Sequence, residues 1–156
     1  CGPLHYSVNR IGALPVGLKV DVILYLHSTY YIKDLYAELS KLIADHLRPG
    51  GAVCALVLPE QSPFFLGLPC LLNCSDTVER TFKALKMETY SFTLRSRFLL
   101  PKGGDFSEAE WEAMRKFIMP SATTVAALKE RLNGHKDHDG NIDFQDHLLI
   151  GKKLEN

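Results

Sequence analysis

Two short apolar runs, residues 20–27 (VDVILYLH) and 52–58 (AVCALVL), flank an amphipathic stretch and limit what this chain can fold into. Runs of that length with almost no polar alternation are how strands read when a parallel sheet is covered on both faces. Between them, Leu35, Leu39, Leu42, Ile43 and Leu47 recur at helical spacing and give one apolar stripe for packing on a sheet. Asp34 is placed to cap that helix, its carboxylate taking up free N–H groups of the first turn. Pro49-Gly50-Gly51 then stops the helix and turns the chain into the second run. The reading is a β-α-β unit with parallel strands and a right-handed crossover.

The remainder extends that unit. Residues 60–73 (EQSPFFLGLPCLLN) are rich in leucine and aromatics yet broken by Pro63, Gly67 and Pro69. Two readings stand open there, a loop packed on the core and a lid or wall of a ligand pocket. Ser75 caps a helix over residues 76–86, with Val78, Phe82 and Leu85 on one face. Residues 88–100 (ETYSFTLRSRFLL) are β-branched and aromatic and read as a strand. Ser107 and Glu110 have capping-box spacing, which predicts a helix to about Ile118. Pro120 ends it, Ser121 begins another that runs to Asn133-Gly134, and residues 142–152 form the last strand. The order β-α-β-α-β-(α-α)-β predicts a three-layer α/β fold. Its mixed sheet has a parallel pair and an antiparallel C-terminal pair, with helices on both faces. Residues 1–19, with Gly2, Pro3, Gly12, Pro15 and Gly17, read as an irregular lead-in to a domain over residues 20–156.

Bulk properties narrow the function. A chain of 156 residues makes one domain with a real core. Its 18 basic and 18 acidic residues are balanced, with no basic cluster, which argues against nucleic acid as a partner. No apolar run is long enough to span a bilayer and no signal peptide opens the chain, so no membrane is expected. The first residue is Cys1 rather than Met, which reads as a processed product, a fragment or a trimmed form. Cys1, Cys54, Cys70 and Cys74 lack the two close pairs of a zinc site, so reduced thiols, a cytoplasmic location and no metal are expected. Asp137-His138-Asp139-Gly140-Asn141 opens like a calcium loop, but its sixth position is Ile142 and its twelfth Leu148, so ordinary turn chemistry is the reading.

Leu47-Arg48-Pro49-Gly50-Gly51, followed by an apolar strand, resembles the corresponding turn of class I S-adenosylmethionine-dependent methyltransferases. The strand over residues 21–27, with Tyr30-Tyr31-Ile32-Lys33-Asp34 leading into a helix, is similar to that family's fourth strand and fourth helix. More narrowly, Tyr30-Tyr31-Ile32-Lys33-Asp34 and residues 144–150 resemble the histamine N-methyltransferases. The resemblance covers about residues 20–153 and implies strands four to seven of a Rossmann-like methyltransferase sheet. It further implies S-adenosylmethionine as cofactor and a small amine or imidazole as substrate. By that resemblance Leu26 lies near the donor, His27 is the catalytic residue, Tyr30 and Tyr31 wall the pocket, and Gln145 and Asp146 contact the amine.

One departure bears on all of this. The family holds its donor with a glycine-rich turn after the first strand and an acidic residue ending the second. Nothing before Asp21 supplies either. The chain therefore reads as a C-terminal half without the donor-binding motif, and methyl transfer by it alone is not expected. The alternative is a non-catalytic fragment or assembly module. In either case the strand over residues 20–27 becomes an open apolar edge, expected to form a homodimer or to pair with the N-terminal half.

Overall fold

The computed structural model describes residues 14–60, 62, 73–99, 106–118 and 124–155. Strand β1 (Val20–Leu26) leads through a single 3-10 turn (Thr29–Tyr31) into α1 (Leu35–Asp45) and β2 (Leu47–Val57). Then follow α2 (Ser75–Ala84), β3 (Glu88–Leu99), α3 (Glu108–Ile118), α4 (Val125–Asn133) and β4 (Asn141–Lys152).

Local chemistry starts the helices. Asp34 accepts the Ala37 amide at 3.0 Å and caps α1, as its position in the sequence implies. Ser107 and Glu110 form the expected capping box: the Ser107 amide donates to Glu110 Oε2 at 2.7 Å and the Glu110 amide to Ser107 Oγ at 3.3 Å. Helix α2 departs from the reading by one residue, because Cys74 is its cap and Ser75 already lies in the first turn. Thr124 caps α4 through its hydroxyl; the expected start at Ser121, and the loop or lid over residues 63–72, lie outside the described residues.

The sheet order is β1-β2-β4-β3. β1 and β2 are parallel, and β4 pairs antiparallel with both β2 and β3. This is the mixed α/β sheet that the element order implies. The Pro49-Gly50-Gly51 segment, however, is not a turn ahead of the strand. It lies inside β2, where Val20 pairs with Leu47 and Val22 already with Ala52, so extra residues bulge out of the ladder. Gly50 sits at φ 73° there. A Cβ on Gly51 would fall 2.8 Å from the Asp21 carbonyl oxygen. Arg48, carried on the bulge, holds the Asp21 carboxylate with both Nη1 contacts at 2.8 and 2.9 Å.

Strand alternation separates two faces. On the first, Tyr25, Val53, Ala55, Val57 and Leu149 meet Leu35, Leu39 and Leu42 of α1 and Val78 and Phe82 of α2. Gly151 lets α2 approach this face, since a Cβ there would lie 2.9 Å from the Phe82 ring. The second face is covered at one end. Ile142 and Leu58 pack with Trp111 of α3 and Leu128 and Leu132 of α4. Over the rest of that face no described element lies. Leu24 and Leu26 are each 62% exposed, and Val22, Tyr90, Phe92 and Leu94 are exposed beside them. No described helix is long and apolar enough to cross a membrane.

Candidate functional site

The carboxyl ends of β1 and β2 form a corner with the 3-10 turn and β4. His27 follows β1 directly and adopts φ 49°, the left-handed region that histidine enters more readily than most residues. Backbone held there costs energy that surrounding contacts must offset. The His27 amide is anchored to the Leu56 carbonyl at 2.9 Å, continuing the parallel ladder by one bond.

Tyr30 locks the ring from below. Its phenol oxygen accepts the Leu58 amide, and the same oxygen lies 3.3 Å from His27 Nδ1. A phenol both donates and accepts, so Tyr30 serves His27 in either tautomer. Nε2, on the other side of the ring, is 3.9 Å from Asp146 Oδ1. The His27 side chain is 43% exposed and Asp146 18%, so the pair opens toward solvent at its histidine end.

A second layer fixes the turn itself. Asn73 is buried and donates from Nδ2 to the carbonyls of Thr29 (2.8 Å) and Ile32 (2.6 Å). Its own main-chain carbonyl accepts the Thr29 hydroxyl at 3.2 Å. The sequence carries no local signal for Asn73, because its partners lie more than forty residues away.

His27, Tyr30 and Asp146 thus come together. Tyr31 packs edge-on against Tyr30 with ring centroids 6.4 Å apart, and its side chain is exposed. Leu26 stands next to the corner, on the part of the second face over which no described element lies. Gln145 pairs with Arg95 across the β3–β4 ladder and, one residue from Asp146, projects from the opposite face. Elsewhere, Asp137 Oδ1 accepts the amides of Asp139 and Asn141 at 2.9 and 2.8 Å, the turn chemistry that the sequence implies for that loop. Among the described residues no three His, Cys, Asp or Glu side chains gather as a metal site. A shallow charged depression lined by Glu60, Asp76, Glu79, Arg80 and Lys83 includes none of the corner residues.

Burial pushes the Tyr30 phenol well above its ordinary range; the Leu58 amide opposes this and the Asp146 charge adds to it. A raised phenol pKa stabilises the fold fully below the unfolded value, about pH 10, and that contribution is lost as pH rises toward the folded value. Denaturant midpoints are therefore expected to fall as pH rises above about 10, and to fall less steeply in Tyr30→Phe. An equally steep fall in that variant would show that the phenol is not a source of the alkaline loss.

Comparison with known proteins bears on the fold. No family model matches the chain. No curated protein matches it. Among solved structures, the YcgJ protein of Bacillus subtilis superposes with a TM-score of 0.52 at 16% identity, over 92% of this chain and 67% of that one. The BH2331 protein of Bacillus halodurans, described as a candidate methyltransferase, gives 0.51 at 10% identity, over 87% and 65%. A functionally unknown protein of Deinococcus radiodurans gives 0.50 at 14% identity, over 96% and 58%. The chain has an α/β fold similar to that of a methyltransferase-type structure. It spans about two thirds of the length of the first of these structures and less of the other two.

Proposed function

We propose that this chain is the acceptor-side, C-terminal portion of an S-adenosylmethionine-dependent methyltransferase-like protein acting on a small amine or imidazole in the cytoplasm. The observation that carries it is the corner where His27, in left-handed backbone, is joined to Tyr30 and faces Asp146. Open α/β sheets place their ligands beyond the carboxyl ends of the strands, which is where this corner lies.

The groups divide the work of presenting an amine. Asp146 accepts a charge-assisted hydrogen bond from an ammonium group. With Nδ1–H donating to the Tyr30 oxygen, His27 Nε2 is free to take the proton, leaving the amine neutral. The imidazolium so formed sits between the phenol oxygen and the Asp146 carboxylate. Tyr31 offers an exposed aromatic wall beside it.

The methyl donor finds less here. S-adenosylmethionine supplies an electrophilic methyl group when bound, and Leu26 presents an apolar wall at the strand end for one side of it. No described residue before Asp21 offers a strand–glycine turn for its carboxylate end or an acidic group for its ribose. The residues do not fit the donor unaided, and its grip is assigned to further chain; the similar structures are longer than this chain.

Amide spectra recorded while histamine is titrated in test the reading. Shifts confined to His27, Tyr30, Tyr31 and Asp146, lost in Asp146→Asn, are expected. Calorimetry with S-adenosylmethionine alone is expected to give no heat. Histamine shifts scattered over the surface would remove the acceptor site, whereas donor heat from this chain alone would overturn the assignment of donor binding to further chain.

A further inference from the structure

The strands of this sheet are written for two covered faces, and over most of one of them no described element lies. Register places the exposed and half-buried side chains of this face in rows across the four strands. One row is Leu24, Cys54, Ile150 and Tyr90; the next is Leu26, Leu56, Leu148 and Phe92. Outside them lie Val22, Ala52, Lys152 and Glu88 in one row, and at the other end Leu94 beside Asp146. The two central rows carry no charge. The exposed parts of Val22, Leu24, Leu26, Tyr90, Phe92 and Leu94 come to roughly 600 Å², as large as the largest apolar patch a typical monomer shows.

We infer that this half-face is a self-association surface, on which a second copy of the chain packs sheet against sheet. Two such faces bury about 1,200 Å² of apolar surface, the lower end of the range for stable interfaces. Joining β1 edges alone would not serve, because it lays two bare faces side by side in one plane and enlarges the exposed patch. A twofold axis running across the strands, between the two central rows, brings the apolar centres of the two faces together and leaves Glu88 at the rim, opposite the second copy's Leu94. It sets Leu24 against the second copy's Leu26, Tyr90 against its Phe92, and the small Cys54 against its Leu56. Outside the apolar centre, Lys152 meets the second copy's Asp146, so the one basic and one acidic group of β4 on this face pair across the axis. The helical pair α3–α4, which covers the Ile142 end, then stands at opposite ends of the assembly and bounds it. Nothing here depends on methyl transfer; an amine at Asp146 and the second copy's Lys152 compete for one carboxylate, so histamine is expected to shift the chain toward monomer.

The test uses the whole 156-residue chain. Sedimentation velocity over a dilution series is expected to show a reversible dimer, weakened roughly tenfold or more by Leu24→Asp at this exposed position. Lys152→Asp, which places two carboxylates across the axis, is expected to weaken it likewise, and Lys152→Asp with Asp146→Lys to restore it. Alkylation of Cys54 is expected to slow as protein concentration rises. A monomer at all concentrations overturns the inference. So does a dimer whose Cys54 alkylation ignores concentration, which is edge pairing alone, or a charge swap that fails to restore. A longer form of the polypeptide that is monomeric with Cys54 already protected would assign the face to that added chain instead.

Discussion

Phe82→Ala is expected to lower the unfolding free energy by about 3–5 kcal/mol, read from denaturant midpoints at unchanged slope. Phe82 is fully buried, and its ring lies over Gly151 of β4 and beside Met87, where α2 comes closest to the sheet. Truncation leaves a cavity that backbone on one side and a helix on the other cannot collapse to fill. A domain of this kind has only about 5–15 kcal/mol in hand, so the variant should lie near the edge of folding at ordinary temperature. The contact is tight in the opposite sense as well. Gly151→Ala drives a methyl group into the same ring, and Phe82→Leu should relieve part of that cost, a coupling that a double-mutant cycle reads directly. A loss below about 1.5 kcal/mol for Phe82→Ala would mean that α2 is not seated on the sheet as described.

The second large effect is expected at Asn73. Asn73→Asp removes both donors and turns a carboxylate toward the carbonyls of Thr29 and Ile32. At neutral pH the cost should be about 3–5 kcal/mol, since a buried charge then faces acceptors only. The new carboxyl is held above its unfolded pKa in the folded state. Stability relative to the parent is therefore least where the unfolded carboxyl is ionised and recovers as pH falls through the raised folded value. Asn73→Ala, which leaves the two carbonyls unpaired without a charge, should cost about 2–3 kcal/mol with no such recovery. Both variants should move the amide resonances of His27 and Tyr30, because the turn they release positions those side chains. Loss of stability with those resonances unmoved would separate Asn73 from the corner.

How far the fold was legible follows from where each signal resides. Apolar runs and helical spacing are local, so β1, α1, β2 and the capping box at Ser107 could be read directly. Pro49-Gly50-Gly51 misled because proline and glycine mark any departure from regular backbone, and a bulge inside a strand uses the same residues as a turn before it. That no described element lies over most of the second face was not legible. VDVILYL carries the pattern of a strand covered on both sides, and a pattern cannot say whether the cover is present. The corner was half legible: His27, Tyr30 and Asp146 were named by resemblance, and their meeting needed the tertiary fold. Gln145 was named beside Asp146 as a pair, yet successive strand residues project from opposite faces. Asn73 left no mark at all, since its partners are remote in sequence.

The position of β4 has a further meaning. It follows the other three described strands in sequence, yet it lies between β2 and β3 and, among the described residues, links the parallel pair to β3. While the ribosome is still threading out residues before 141, β3 has no neighbour and β2 no second one, and the seat of Phe82 over Gly151 does not exist. Helices α1 and α2 must wait for β4 before their apolar faces meet Leu149 and Gly151. A nascent chain stalled in α4 would therefore hold its apolar strands open to whatever chaperone stands at the tunnel mouth, and a single late strand would zip the whole architecture shut.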